Sequence, residues 1–248
     1  MKRIWKWLLA ALSVGLLLSL AANLWLGLEA RNLYVRMLIG NIWPAEMTAL
    51  PPPATEPPTN VLLFLGDSRI TDWGEPAMPG WRTVNAGMNG ASTAEVRLRT
   101  AAYCAQFHPR AVVVEAGIND LKLLGLRPDL SDTVVVECTE NLRAIASEAA
   151  RSGARVFLCQ VWPPGEPGLL RRFVWSAEIP VAVAEVNRRL ASPTNAPDRV
   201  RVVDVFPDGI RPEWRRDPLH LKPEAYRVAT ENLRRVLPNE NKPPASPP

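Results

Sequence analysis

What constrains the fold most is an alternation of short, continuously apolar runs with longer segments of helical pattern. Val61-Leu62-Leu63-Phe64-Leu65 offers no polar side chain to solvent and is too short for a stable helix, so it reads as a strand buried on both faces. Comparable strands are expected at about 83–86, 111–115, 154–160 and 201–205, and helices at about 92–106, 132–151, 181–190 and 223–237. Strands separated by helices must cross over rather than form hairpins. The expectation is therefore an α/β fold with a central parallel sheet covered by helices on both faces. No internal repeat interrupts the pattern.

The 248 residues, 47% apolar and 22% charged, suffice for one well-buried core once the two ends are set aside. Residues 7–28 carry no charge and are about long enough to cross a bilayer. Lys2, Arg3 and Lys6 precede this run, and Trp7 and Trp25 lie near its ends as interfacial aromatics do. The reading is a cytoplasmic N-terminus at 1–6 and one transmembrane signal anchor at 7–28. A membrane-proximal stalk and Pro-rich linker follow at 29–59, the folded domain at 60–237, and a disordered Pro-rich tail at 238–248. Basic residues ahead of the span place the domain outside the cytoplasm, at the cell membrane. Arg31 and Arg36 weaken that bias, and a signal peptide cleaved near Ser19-Leu20-Ala21 is the competing reading. Residues 33–43 read equally as a short interfacial helix or as plain stalk.

Four short islands carry chemistry: Gly66-Asp67-Ser68, Asn85-Ala86-Gly87-Met88-Asn89-Gly90, Gly117-Ile118-Asn119-Asp120 and Asp217-Pro218-Leu219-His220. The first three follow predicted strands, so their residues belong at the carboxyl edge of the sheet, where open α/β sheets hold ligands. Ser68 is the candidate nucleophile. Ser92 and Glu95 form the pattern of a capping box, which puts Gly90 in a strand-to-helix turn with a bare backbone N–H. Asn119 offers a neutral N–H donor that cannot compete as a base. Each island alone is also an ordinary turn.

The base follows by elimination, because the chain has two histidines. His108 precedes the third strand and is separated from Asn119 by the strand's length, roughly 20 Å at about 3.3 Å per residue. His220 lies in a loop ahead of Pro223, a residue suited to the first turn of a helix. Asp217, three residues earlier, can accept the imidazole Nδ1 proton and leave Nε2 to take a proton from Ser68. Asp120 is the alternative orienting acid.

In order and spacing these islands resemble those of the SGNH hydrolases, the GDSL-type esterases and lipases, over about residues 60–237. The resemblance implies a flavodoxin-like three-layer sandwich and a triad of Ser68, Asp217 and His220. It also implies an oxyanion hole built from the N–H groups of Ser68 and Gly90 with Asn119. The expected activity is cleavage of carboxylic esters through an acyl-enzyme, with an ester-bearing small molecule, lipid or glycan as substrate and no cofactor. Acyl transfer to or deacetylation of an envelope polysaccharide, and a non-catalytic envelope-binding domain, are the competing readings.

Where many relatives have Leu after Gly-Asp-Ser, this chain has Arg69, a cation expected near the substrate. Trp162, Phe173 and Trp175, in a long Pro-rich connection, and Arg216, beside Asp217, are further candidate substrate contacts; packing of the loop's own small core for the aromatics and a solvated loop for Arg216 are the alternative readings. Cys104, Cys138 and Cys159 are too few for a disulfide framework. They read as buried thiols, with a Cys104–Cys138 bridge as the alternative. No His/Cys cluster has metal-ligand spacing, and scattered arginine pairs without a nucleic-acid motif make a nucleic-acid partner unexpected.

Overall fold

The computed structural model describes residues 2–40, 60–192 and 198–237. The chain divides into two units, Met1–Gly40 and Asn41–Pro248. The first is a single helix, α1 (Lys2–Gly40). Its segment Arg3–Met37 is long and apolar enough to cross a membrane, with a mean hydropathy of 2.0. Leu8, Leu12, Leu16, Leu17, Leu20 and Leu24 all stand exposed, so the helix is apolar all round rather than amphipathic. Such a helix is compatible with a single-pass anchor or a signal sequence. It runs unbroken past Leu28, so the segment expected as stalk or interfacial helix continues α1 as far as Gly40. The linker at 41–59 and the tail at 238–248 lie outside the described residues.

The second unit holds a five-stranded parallel sheet of order β2-β1-β3-β4-β5. Its strands are β1 (Val61–Gly66), β2 (Arg82–Gly87), β3 (Ala111–Glu115), β4 (Arg155–Cys159) and β5 (Val200–Val203). This is the doubly wound order in which the chain leaves β1 to pair on one side and returns to pair on the other. The helices are α2 (Ser68–Trp73), α3 (Thr93–Phe107), α4 (Ile118–Leu121), α5 (Ser131–Arg151), α6 (Glu178–Ala191) and α7 (Pro223–Val236).

Every residue of β1 and β3 is buried, as continuous apolar strands between two helical layers must be. Alternate side chains serve opposite faces. Leu62, Phe64, Ala111, Val113 and Phe157 share a core with Ile70 and Trp73 of α2 and Ala225, Tyr226, Ala229 and Leu233 of α7. On the other layer α5 packs between α3 and α6. Each fully buried Leu or Phe contributes about 1.5–3 kcal/mol, so the layers are held by area rather than by any one contact. Cys104, Cys138 and Cys159 are buried free thiols, and the Cys104–Cys138 bridge is not formed.

Register is what gathers the islands. Gly66 aligns with Gly87 of β2 and with Glu115 of β3, so the three strands end at one level and their following loops emerge side by side. Gly66 itself permits this. A Cβ there would lie 1.8 Å from the Glu115 carbonyl oxygen, so only glycine lets β1 finish against β3.

Candidate functional site

Ser68 is the first residue of α2. Asp67 caps that helix through a carboxylate that accepts the Arg69 N–H at 2.9 Å. The backbone N–H of a residue at this position has no partner within its helix, and among the described residues that of Ser68 has no acceptor. Ser92 and Glu95 do form the capping box of α3, which fixes the turn preceding it. In that turn Gly90 has φ +78°, open space where a Cβ would be, and, among the described residues, no acceptor for its N–H.

His220 approaches from the loop before α7. Its Nε2 lies 3.0 Å from Ser68 Oγ, and its Nδ1 lies 2.8 Å from Asp217 Oδ2. An ionised carboxylate accepts only, so Nδ1 carries the proton and Nε2 presents its lone pair to the serine hydroxyl. The other Asp217 oxygen accepts N–H bonds from Leu219 at 2.8 Å and His220 at 3.0 Å. Partial burial alone would raise the Asp217 carboxyl. The Leu219 N–H, the His220 ring and the His220 N–H outweigh it and hold the group below its ordinary value. The loop is pinned by the Arg216 N–H donating to the His220 carbonyl and by the Gly165 N–H donating to Pro218. A serine, a correctly tautomerised imidazole and an ionised acid in one relay can generate an alkoxide-like nucleophile at neutral pH.

Asp120 is not in this relay. Its half-buried carboxylate accepts the Thr93 N–H at 2.9 Å and the Thr93 hydroxyl at 2.6 Å, tying the loop after β3 to the start of α3. Burial pushes it up to about 6 against those hydrogen bonds. Asn119 lies between the other two loops. Its Nδ2 donates to the Ala91 carbonyl at 3.0 Å, with a longer contact of 3.4 Å to Asp67 Oδ2. Lys122 Nζ donates to its Oδ1 at 2.7 Å. His108, exposed and in the left-handed region at the end of α3, stands before β3 at the opposite edge.

Two of the candidate substrate contacts, Arg69 and Trp162, are buried instead. Arg69 does not face a substrate; it is 1% exposed. Its guanidinium donates to the carbonyls of Leu219 at 2.9 Å and Trp162 at 2.8 Å and to Glu115 Oε1 at 3.2 Å. It thus ties the helix that begins at Ser68 to the loop carrying His220. Trp162, 3% exposed, is a core residue, with ring centroids 5.2 Å from Phe206 and 5.5 Å from Trp73. Arg216 is exposed and ion-paired with Asp72 at 2.9 Å. Trp175 is half-buried and lines a surface cavity of about 330 Å³ with Pro164, Pro167, Arg172 and Pro180. The Phe173 side chain lies outside the described residues.

The sequence reading passed over Glu115, Lys122 and Arg171. Burial, with the Asp67 charge, pushes Glu115 up to about 8 against the attraction of Arg69. Arg171 Nη1 stands 3.8 Å from Asp217 Oδ1 at the exposed side of the relay. The spacing of Lys122 three residues after Asn119, one helical turn, was the available signal for its contact.

The sequence model of the GDSL-like lipase/acylhydrolase family matches residues 64–228. Among solved structures, a GDSL-like lipase from Bacteroides thetaiotaomicron superposes with a TM-score of 0.56 at 19% identity, covering 82% of this chain and 96% of that one. A putative acylhydrolase from Bacteroides fragilis gives 0.57 at 19% identity, covering 81% and 93%. An acetyl xylan esterase gives 0.53 at 18% identity, covering 71% and 100%. At these identities the structures speak for the fold. No curated protein matches the chain.

Proposed function

The chain belongs to the GDSL-like lipase/acylhydrolase family, and on that premise we propose that it is a membrane-anchored serine hydrolase whose domain, residues 60–237, cleaves carboxylic esters outside the cytoplasm. The observation that carries the reading is the relay from Ser68 Oγ to His220 Nε2 at 3.0 Å and from His220 Nδ1 to Asp217 Oδ2 at 2.8 Å. Ser68 attacks the ester carbonyl as His220 takes its proton. The N–H groups of Ser68, Gly90 and the Asn119 amide receive the oxyanion, and the hydrogen of Asn119 now in long contact with Asp67 is the one it would take. His220 then protonates the leaving alcohol, and water activated by the same imidazole releases the acid. Arg69 and Trp162 support this site from beneath. Helix α1 anchors the chain with residues 1–6 in the cytoplasm.

The test is intact-mass analysis of the full chain in detergent after exposure to a fluorophosphonate. One adduct per chain, absent in Ser68→Ala, is the expected result. A folded chain that takes no adduct would overturn the reading. A carboxyl-terminal alkaline phosphatase fusion, active only outside the cytoplasm, tests the orientation.

A further inference from the structure

We infer that Lys122 is a positioning residue for the oxyanion donor: it holds the Asn119 amide with its oxygen away from, and its N–H bonds toward, the turns that carry Ser68 and Gly90. This rests on the reading of Asn119 as an oxyanion donor. The two ends of a carboxamide are almost the same size, so packing alone does not decide which end faces the hole. Here polar partners decide it. On one side stands the Lys122 ammonium, 2.7 Å from Oδ1. On the other stand two acceptors, the Ala91 carbonyl at 3.0 Å and Asp67 Oδ2 at 3.4 Å. A half-turn of the amide would set its NH₂ against an ammonium and its oxygen against a carbonyl and a carboxyl oxygen, replacing all three contacts by repulsions.

The positions follow from the chain. Asn119 lies in the short helix α4 and Lys122 one turn later, so the lysine reaches back over the same side of that turn. Burial lowers the lysine's proton affinity, while the carboxylates of Asp67 and Asp120 oppose that shift and favour the charged form. A charge-assisted bond to the carbonyl end also polarises the amide, strengthening the N–H bonds it presents at the other end. An oxyanion exists only after attack, so this assistance is expressed in the transition state and not in substrate binding.

Loss of a whole oxyanion donor lowers kcat by about 10²–10³. Freeing the orientation of one should cost part of that, about tenfold. The experiment measures kcat and KM for a p-nitrophenyl ester, and the second-order rate of fluorophosphonate labelling, for the full chain and for Lys122→Met, Asn119→Ala and the double variant. The inference expects Lys122→Met to lose about tenfold in kcat and in labelling rate with KM unchanged, and to lose nothing further in the Asn119→Ala background. Equal losses in both backgrounds, or a Lys122→Met chain within twofold of the parent, would overturn it while leaving the hydrolase reading intact. A parent chain that neither labels nor turns over removes both. Should Lys122→Met melt early, Lys122→Gln, which keeps a donor for Asn119 Oδ1, decides the matter. Activity within about threefold of the parent supports the positioning role, and a loss that tracks the melting temperature overturns it.

Discussion

Replacing Asp217 by Asn isolates the tautomer of His220 from the architecture of its loop. Asp217 Oδ1 accepts two backbone N–H bonds, from Leu219 and His220, while Oδ2 receives the His220 ring at 2.8 Å. In the Asn variant the carbonyl oxygen must stay with the two backbone donors, because an NH₂ there would oppose them. The NH₂ therefore faces Nδ1, which can receive it only by giving up its proton. The imidazole then carries its hydrogen on Nε2, pointing at Ser68, and cannot act as base. In a serine protease the same wrong tautomer costs about 10⁴ in kcat. At 1.36 kcal/mol per decade that is about 5 kcal/mol of transition-state stabilisation. The loop keeps both backbone bonds, so the melting temperature should move little. The assay is the rate of fluorophosphonate labelling at pH 7, which needs no knowledge of the natural ester, alongside a thermal melt. Asp217→Ala leaves the ring free to adopt either tautomer and should label no more slowly than Asp217→Asn. An Asn variant within tenfold of the parent, with the Ala variant far slower, would refute the tautomer argument and leave Asp217 as a loop clamp.

Gly66→Ala puts a methyl 1.8 Å from the Glu115 carbonyl, so β1 must shift from β3; a lowered melting temperature and a labelling rate reduced about 10²-fold or more are expected, with circular dichroism showing the sheet retained. Glu115, raised to about 8 in the fold, binds its proton more tightly folded than unfolded. Its share of stability is therefore full below its unfolded value of about 4.5 and lost as pH rises through about 8. Glu115→Gln should flatten the melting temperature between pH 5 and pH 9 and exceed the parent at pH 9; an unchanged pH profile would refute the assignment. Trp162→Ala should cost about 3–5 kcal/mol by denaturant unfolding, as core truncations do, with KM nearly unchanged in the fraction that stays folded.

Much of the site was legible along the chain because its parts are set by local rules. Continuous apolar runs gave the buried strands, the Ser92–Glu95 box placed the start of α3, and Pro223 marked the start of α7. Parallel order then sends the loops after β1, β2 and β3 to one edge, which groups Ser68, Gly90 and Asn119 from the chain alone. With two histidines, position relative to that edge sufficed to choose His220.

Tertiary structure decided what the long side chains do. Arg69, beside Ser68, reads as a cation near the substrate because nothing along the chain announces its partners. Its partners are Glu115, Trp162 and Leu219, which lie 46, 93 and 150 residues away and are delivered by strand register and by the loop before α7. Trp162 likewise reads as a candidate substrate contact or a packing residue of its loop until Phe206, Trp73 and Tyr226 close around it in the main core. Lys122 could be placed one turn from Asn119 by spacing, but which end of the amide it grips depends on Ala91 and Asp67 standing opposite. The sequence determines each residue's element and edge, because those follow from patterns a few residues long. The direction and partner of a long polar side chain depend on which distant backbone groups need a donor once they are buried, and that is settled only when the layers close.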